Sequence, residues 1–227
     1  MIQYLDKNSN IEEMYQVAES DGVFVIQDYL TGNELKDLTE DIKKEIQSNA
    51  GYYEFGRNLR GGSLTSYPKD KPIYKTFSAP WMKELYLKIT KGQNKGYGVS
   101  IYGNHDYIVG KDLARNGWLH FDRNTCWKYF IYLSDIDQES GAFTIVPKSH
   151  KLGEKLHKKA WKEDSNYGSV KNRIELDYPH LLEGLDIIPI EEKAGTLIAF
   201  NTDCFHKGGQ ILKEGKERLV VRINSFK

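Results

Sequence analysis

The sequence predicts a mainly β protein with flanking helices, and three patterns support that fold class. Short runs rich in β-branched and aromatic residues follow one another after Gly96, separated by polar turns such as residues 135–141. Clear helical periodicity is confined to the chain before residue 92 and to residues 151–164. The last run, residues 218–226, alternates polar and aliphatic side chains as a strand between two environments does. This combination is typical of a β-sandwich or a β-barrel.

Length and composition exclude several classes of protein. At 227 residues we expect one domain over residues 1–227, because barrels of this size are commonly undivided. A formal net charge of zero argues against nucleic acid or an anionic membrane as a partner. The chain has neither a long apolar span nor the pattern of a signal peptide, and its two cysteines lack CxxC spacing. We therefore expect a cytoplasmic protein with reduced thiols; no pattern indicates an oligomeric state.

The N-terminal part predicts two helices that flank one strand. The first helix is expected over residues 11–20 with Asn10 as its N-cap, and a strand follows over residues 22–29. The second helix is better marked, because Thr31 and Glu34 form a capping box ahead of a periodic aliphatic stripe. The stripe consists of Leu35, Leu38, Ile42 and Ile46. Such an amphipathic helix is expected to pack on the outer face of a sheet.

Residues 51–74 show no clear period and are rich in glycine, tyrosine and arginine, which predicts a functional loop. Arg57 and Arg60 in this loop are candidates for binding an anionic substrate, although exposed arginines are commonly only solvated. A third helix is predicted over residues 79–91, with Ser78 as its cap. Its expected buried stripe is Trp81, Leu85 and Ile89.

The second half of the chain predicts a series of strands interrupted by one basic helix. The helix is expected over residues 151–164, and its lysines form either a landing patch for a phosphate or carboxylate or simply a solvated face. The strand over residues 97–109 is expected to bend at Gly103. The remaining strands are expected over residues 118–122, 127–135, 142–147, 186–189, 196–200, 204–207 and 218–226.

His120 and Asp122 are separated by one residue, so in an extended strand their side chains share a face and can bind one metal ion. Taken alone, such a pair is more commonly a hydrogen-bonded pair at a strand end. The best candidate for a third ligand is His206, which precedes two glycines. Two histidines and one carboxylate form the facial triad that suits non-haem Fe(II). The adjacent His105 and Asp106 are not included, because neighbouring strand residues point to opposite faces.

The final strand predicts a polar cavity. Arg218, Val220, Arg222 and Asn224 share one face, and the aliphatic residues between them share the other. The aliphatic face is expected to pack beneath the N-terminal helices and the arginine face to line the cavity. A guanidinium binds a carboxylate through two parallel hydrogen bonds, which are strongest when shielded from water. The alternative is a surface salt bridge at a strand edge.

The ordered set of motifs resembles the phytanoyl-CoA dioxygenase family of Fe(II)- and 2-oxoglutarate-dependent oxygenases. The set is His-x-Asp, then GAFTIVPKSHK, then a distal His, then Arg218. The resemblance implies a double-stranded β-helix, a jelly-roll or cupin-like barrel, with the N-terminal helices on the outer face of its major sheet. It also implies that His120, Asp122 and His206 bind Fe(II), that Arg218 holds the distal carboxylate of 2-oxoglutarate, and that O2 is the second cosubstrate.

Two departures from the family pattern affect these roles. Val220 stands where some related oxygenases have Ser or Thr, so a second hydroxyl donor to 2-oxoglutarate must come from elsewhere, and Tyr102 is a candidate. Lys148 stands where the family segment usually has glycine, which implies a relaxed turn or a charge near the site entrance. Arg222, on the cavity face of the last strand, is a further candidate for binding substrate.

The resemblance implies hydroxylation of an unactivated C–H bond of a small molecule, with release of succinate and CO2. Asp122 argues against halogenation, because halogenating relatives have Gly or Ala there, and it leaves desaturation and ring formation open. An anionic or zwitterionic substrate is compatible with the arginines and the basic helix, but no residue pattern selects one. Two other classes are a cupin-type isomerase or epimerase, which needs no cosubstrate anchor, and a non-catalytic metal- or ligand-binding barrel.

Overall fold

The structure is a computed structural model that describes residues 1–49, 51–53, 56–92, 99–110, 117–163 and 171–226. Its helices are α1 (Ile11–Asp21), α2 (Gly32–Asn49), α3 (Pro72–Phe77), α4 (Pro80–Ile89), α5 (His150–Glu163) and α6 (Ile174–Asp177). Its strands are β1 (Gln3–Tyr4), β2 (Val23–Ile26), β3 (Gly51–Tyr53), β4 (Gly56–Ser63), β5 (Val99–Asp106), β6 (Cys126–Tyr132), β7 (Phe143–Ile145), β8 (Ile188–Ile190), β9 (Leu197–Asn201), β10 (His206–Lys207) and β11 (Arg218–Phe226).

The strands form one large and one small sheet. The large sheet has eight strands in the order β1-β2-β9-β6-β11-β5-β4-β3, and the small sheet has three in the order β10-β7-β8. The predicted class, mainly β with flanking helices in a jelly-roll arrangement, is confirmed. In the described residues the hydrogen-bonded ladders do not close into a barrel. None of the described helices is both long and apolar enough to cross a membrane.

The N-terminal helices cover the outer face of the large sheet, as predicted. Leu38 and Ile42 of α2 join Leu219, Val221 and Ile223 of β11 in one buried hydrophobic cluster. Burying an aliphatic side chain of this size contributes roughly 1.5–3 kcal/mol relative to leaving it exposed. The aliphatic side of β11 therefore anchors the helical layer and leaves the other side facing the space between the sheets.

The inner faces of the two sheets enclose a second, smaller hydrophobic cluster. It includes Tyr132, Phe143 and Phe200, with Val220 from the polar side of β11. Phe143 and Phe200 pack with ring centroids 4.7 Å apart. This cluster lies beside Arg218 and Arg222, so the arginine face of β11 is directed to the space between the sheets, next to an apolar core.

The prediction of an irregular loop over residues 51–74 was wrong for its described part, and a functional role for this segment stays a prediction. Strands β3 and β4 form a hairpin that extends the large sheet, and α3 follows. The predicted cap of the next helix was also wrong: Ser78 ends α3, Ala79 precedes α4, and Pro80 occupies the first turn. Proline is favoured there because its fixed φ suits a helix start and its missing N–H would be unbonded in any case.

Gly103 does not bend β5, contrary to the prediction. The register with β11 runs without a break from Arg218 opposite Asp106 to Ser225 opposite Val99. A Cβ at Gly103 would lie 3.4 Å from side-chain atoms of both Ile46 and Leu59. The glycine therefore makes room for α2 to pack closely on the sheet. The irregularity lies in β4, where the register shifts.

Candidate metal centre

Three side chains predicted as metal ligands converge at one end of the interior. His120, Asp122 and His206 each offer one ligand atom, and these atoms lie within 4.8 Å of one another. Oδ1 of Asp122 lies 3.7 Å from Nε2 of His120 and 3.5 Å from Nε2 of His206. Two nitrogens and one carboxylate oxygen in such a cluster form a donor set that suits Fe(II) and leaves further coordination positions open.

Backbone pairing brings the two histidines together across 86 residues of sequence. His120 and His206 lie directly opposite each other in an antiparallel bridge, joined by two N–H···O bonds of 2.9 Å. Residues directly opposite in such a pair point to the same face, and the two imidazole centroids are 4.6 Å apart. The backbone N–H of Asp122 donates to the carbonyl of Thr202 at 3.0 Å. The ligand segment is thus tied to β10 and to the turn before it.

The remaining ring nitrogens fix the tautomers of the two histidines. Nδ1 of His120 lies 2.8 Å from the carbonyl oxygen of Trp118, and Nδ1 of His206 lies 2.7 Å from that of Cys204. A carbonyl oxygen can only accept, so Nδ1 carries the proton in each ring. In the neutral form of each ring, Nε2 then presents its lone pair to the ligand cluster, which is the arrangement that metal-binding histidines use.

The electrostatics of the cluster favour the unprotonated forms of His120 and Asp122. Burial and the neighbouring His206 lower the pKa of His120 to about 4. Burial alone would raise the pKa of Asp122, but the ammonium of Lys128 and the two histidines outweigh it and hold that pKa well below its usual range. Nζ of Lys128, on β6, lies 2.5 Å from Oδ2 of Asp122. Oδ1 remains directed at the two histidines.

A second polar cluster braces the loops that carry the ligands. His157, on the buried side of α5, has Nδ1 3.1 Å from Oδ1 of Asp203 and Nε2 2.7 Å from the carbonyl oxygen of Arg123. The hydroxyl of Thr125 lies 2.9 Å from the same Asp203 oxygen. Arg123 directly follows Asp122, and Asp203 precedes His206 by three residues. The cluster therefore joins both ligand-bearing segments to one helix.

Arg218 and Arg222 both face the interior but differ in their partners. Arg218 is ion-paired with the buried Asp106, and its Nη1 donates to the carbonyl of Gly141 at 2.9 Å. Nη1 of Arg222 donates to Asn104 at 2.7 Å, while its buried Nε has no hydrogen-bond partner in the described part of the chain. Because Asn104 lies opposite Val220, the Arg222 side chain leans along β11 toward Arg218. Burial lowers the pKa of the Arg222 guanidinium, and the Asp122 carboxylate opposes that shift.

The other predicted site residues fall in different places. The Tyr102 ring centroid lies 5.1 Å from Cζ of Arg222, so Tyr102 lines the same interior. Arg57 does not: it lies opposite His105, and His105 is on the face of β5 turned away from Asn104 and Asp106. Arg57 therefore faces away from this interior, and its binding of an anionic substrate stays a prediction. The side chain of Arg60 lies outside the described residues.

Sequence reasoning missed Lys128 and Asp106, which are the interior partners of Asp122 and Arg218. A signal for Lys128 exists, because it is a single charge at an inward position of the otherwise apolar run 126–132. Asp106 has a weaker one: it shares strand parity with Tyr102, which was predicted to face the cavity. Asp106 is not a metal ligand, but it is the ion-pair partner of Arg218.

A model of the phytanoyl-CoA dioxygenase family matches residues 64–218, which is about two thirds of the chain. The chain belongs to the phytanoyl-CoA dioxygenase family. Enzymes of this family use Fe(II), 2-oxoglutarate and O2, so the predicted family and cofactors are confirmed. The matched range contains the three clustered ligand candidates and Arg218. The chain is also 26% identical over 105 residues to ORF157 of Acidianus filamentous virus 1, an alignment that spans 41% of this chain and 62% of the viral protein.

Solved structures share the fold at low sequence identity. SnoN, a non-haem α-ketoglutarate-dependent epimerase from nogalamycin biosynthesis, matches with a TM-score of 0.64 at 12% identity over 96% of this chain and 83% of SnoN. The carbocyclase SnoK from the same biosynthesis matches with a TM-score of 0.62 and 14% sequence identity. The match covers 97% of this chain and 85% of SnoK. HygX from Streptomyces hygroscopicus, solved with nickel and 2-oxoglutarate bound, matches with a TM-score of 0.57 and 16% sequence identity. The match covers 96% of this chain and 87% of HygX.

Proposed function

We propose that this enzyme binds Fe(II) through His120, Asp122 and His206 and hydroxylates an unactivated C–H bond of a small molecule. The observation that carries the proposal is the convergence of three ligand atoms in an interior that also holds Arg222, a buried cation with no carboxylate partner among the described residues. A metal-binding barrel without cosubstrate chemistry would have no use for that charge. The iron, when bound, supplies activation of O2 at the expense of 2-oxoglutarate, giving succinate and CO2.

The residues present fit a divalent metal ion. Both histidines are held as Nδ1–H tautomers, and Lys128 holds the second oxygen of Asp122 away from the ligand cluster. Asp122 is therefore set to offer a single oxygen. These three residues would hold the ion and would leave coordination positions for cosubstrate and O2, as a facial triad does.

Arg218 and Arg222 together are proposed to bind the distal carboxylate of 2-oxoglutarate. Lys128 and Arg218 are matched by Asp122 and Asp106, which leaves Arg222 without a carboxylate partner among the described residues. An additional carboxylate is therefore favoured in this interior. Asp106 holds Arg218 through Nε and Nη2, so the Arg218 fork is oriented before the ligand arrives. Tyr102, against Arg222, supports the same subsite.

Hydroxylation is the outcome that Asp122 favours, since the aspartate fills the position that halogenating relatives leave open. The epimerase SnoN and the carbocyclase SnoK have the same fold, so the fold admits other outcomes. Incorporation of one oxygen atom from 18O2 into product distinguishes hydroxylation from epimerisation, desaturation and ring formation, none of which retains that atom.

The first test is spectroscopic and needs no substrate. Under anaerobic conditions, Fe(II) and 2-oxoglutarate together are expected to give a weak visible charge-transfer band that neither gives alone. His206→Ala is expected to abolish the band, whereas His180→Ala, at an exposed histidine, leaves it intact. Folded protein that binds the metal but gives no band with 2-oxoglutarate contradicts the oxygenase proposal and favours a cupin-type isomerase.

A further inference from the structure

Arg173 lies beside His120 in the small sheet. The segment that begins at residue 171 pairs with the ligand strand: the backbone N–H of Phe121 donates to the carbonyl of Asn172 at 3.2 Å, and that of Ile174 to the carbonyl of Leu119 at 2.6 Å. These two bonds place Arg173 directly opposite His120 in an antiparallel bridge. The pair is of the non-hydrogen-bonded kind, in which Cα atoms are only about 4.5 Å apart and side chains are closest.

The side chain of Arg173 belongs to the row that faces the interior. Residues directly opposite across an antiparallel ladder point to the same face, and this ladder runs from Ile188 through Ile145, His206 and His120 to Arg173. Ile145 is fully buried in the inter-sheet cluster, against which Ile188 packs, so the shared face is the inner one. Arg173 is the last member of that row, next to a proposed metal ligand.

The guanidinium of Arg173 has no ion pair and no side-chain hydrogen bond within the part of the chain that the structure describes, and it is partly buried. The nearby acids are engaged elsewhere. Glu175 accepts from the backbone N–H of Leu119 and from Lys207, and Asp177 accepts from the backbone N–H of Arg173 itself. Water can reach part of this side chain, so an ion pair is not obligatory, but a guanidinium on the inner face beside the ligand cluster is free to bind an anion from outside the chain.

We propose that Arg173 binds an anionic group of the substrate, a carboxylate, phosphate or sulfate, and so holds the neighbouring C–H bond toward the metal. This inference rests on the proposed function and adds to it the substrate class, a small organic anion. The site is separate from the cosubstrate subsite, because Arg173 is on the small sheet beyond His120, whereas Arg218 and Arg222 are on the large sheet. The fork of a guanidinium suits all three oxyanions, and a bidentate contact also fixes their orientation.

The test uses the protein loaded with Mn(II) and saturating 2-oxoglutarate, and measures how strongly the bound paramagnetic ion relaxes the protons of added probes. The probes are hexanoate, hexyl phosphate and hexyl sulfate, with the neutral hexanamide as reference. Wild type is expected to relax at least one anionic probe far more than hexanamide. Arg173→Gln is expected to weaken that binding about 10- to 100-fold, and Arg173→Lys to retain part of it. Lys36→Gln removes an equal charge from the exposed outer side of α2 and is expected to bind as wild type does.

Each other result has a defined meaning. Equal relaxation by charged and neutral probes, no relaxation by any probe, or unchanged binding in Arg173→Gln overturns the inference. Weaker 2-oxoglutarate binding in Arg173→Gln also overturns it, because Arg173 would then serve the cosubstrate. Failure of wild type to bind Mn(II) with 2-oxoglutarate is a different outcome, seen before any probe is added, and contradicts the proposed function itself.

Discussion

The two oxygens of Asp122 have different partners: Oδ2 lies 2.5 Å from the ammonium of Lys128, and Oδ1 faces Nε2 of His120 and His206. In the metal-free protein the lysine is the counter-charge of a carboxylate that is only 23% exposed. A bound divalent ion would share that carboxylate with the lysine at close range. Lys128 thus stabilises the empty site and repels the ion that fills it.

Lys128→Met is therefore expected to have opposite effects on the two states. The metal-free variant should lose about 2 kcal/mol of unfolding free energy, less than for a fully buried pair because Asp122 keeps some solvent. Mn(II) should then stabilise the variant more than it stabilises wild type. Urea unfolding with and without Mn(II) measures both effects. Lys193→Met, at an ion pair whose side chains are 80% and 62% exposed, is the matched control and should change little. Equal stabilisation of both proteins by Mn(II) would contradict this account.

Substitutions at Arg222 and Arg218 are expected to differ in their effects on 2-oxoglutarate affinity and on the free energy of unfolding. Arg222→Gln removes a cation that has no carboxylate partner, so it should weaken 2-oxoglutarate binding about 10- to 100-fold while leaving the unfolding free energy near that of wild type. Arg218→Gln should weaken binding and also cost about 3–5 kcal/mol of stability, because it leaves the buried Asp106 unpaired. Calorimetric titration of Mn(II)-loaded protein and urea unfolding separate the two. Wild-type affinity in a folded Arg222→Gln protein would remove Arg222 from the subsite.

Much of this arrangement could be predicted because local patterns determine it. The alternation of β11 predicted its aliphatic face, which packs in the helical layer, and the spacing of Leu38, Ile42 and Ile46 predicted the matching face of α2. Asn10 caps α1 as predicted, its side chain accepting from the backbone N–H of Glu13 at 3.0 Å. Each of these features depends on residues close together in sequence, where periodicity and capping chemistry act.

Features that depend on tertiary pairing could not be predicted in the same way. Arg173 is 53 residues from His120, and only the bridge between them makes it a site candidate. The segment 51–74 shows no period because β4, within it, carries a bulge and three glycines. Pairing with β5 nevertheless makes Gly56–Ser63 a strand. Lys148 adopts a φ of +67°, a left-handed conformation that glycine adopts without strain. The sequence shows that lysine stands at this position, but it does not show that the backbone there has a positive φ.

The buried pair of His157 and Asp203 predicts a pH-dependent contribution to stability. The hydrogen bond with Asp203 raises the pKa of His157 above its ordinary value. A raised folded-state pKa means that the contribution is complete below the unfolded value of about 6.5 and is lost as pH rises through the folded value. His157→Gln should therefore cost about 1–3 kcal/mol at pH 6 and less at pH 9, measured by urea unfolding of metal-free protein. His180→Gln, at an exposed site, should show no such trend. A cost that does not change with pH would contradict the charged pair.

Gly153 allows α5 to contact the turn that leads to His206. A Cβ at this position would lie 1.8 Å from the carbonyl oxygen of Asp203, a backbone atom that cannot move aside alone. The same turn continues to Cys204, whose carbonyl holds Nδ1 of His206. The close approach of the helix therefore bears directly on a proposed metal ligand.

Gly153→Ala is expected to destabilise the protein although alanine is the better helix former. In an exposed helix this change would stabilise by about 1 kcal/mol, but the backbone clash should reverse the sign and give a net loss of about 1–3 kcal/mol. Separation of α5 from the turn should also tilt the His206 ring and lower Mn(II) affinity, which electron paramagnetic resonance measures as free ion. Lys155→Ala, on the exposed side of the same helix, tests propensity alone and should bind Mn(II) normally. If Gly153→Ala is as stable as wild type and binds Mn(II) equally well, the helix does not position His206.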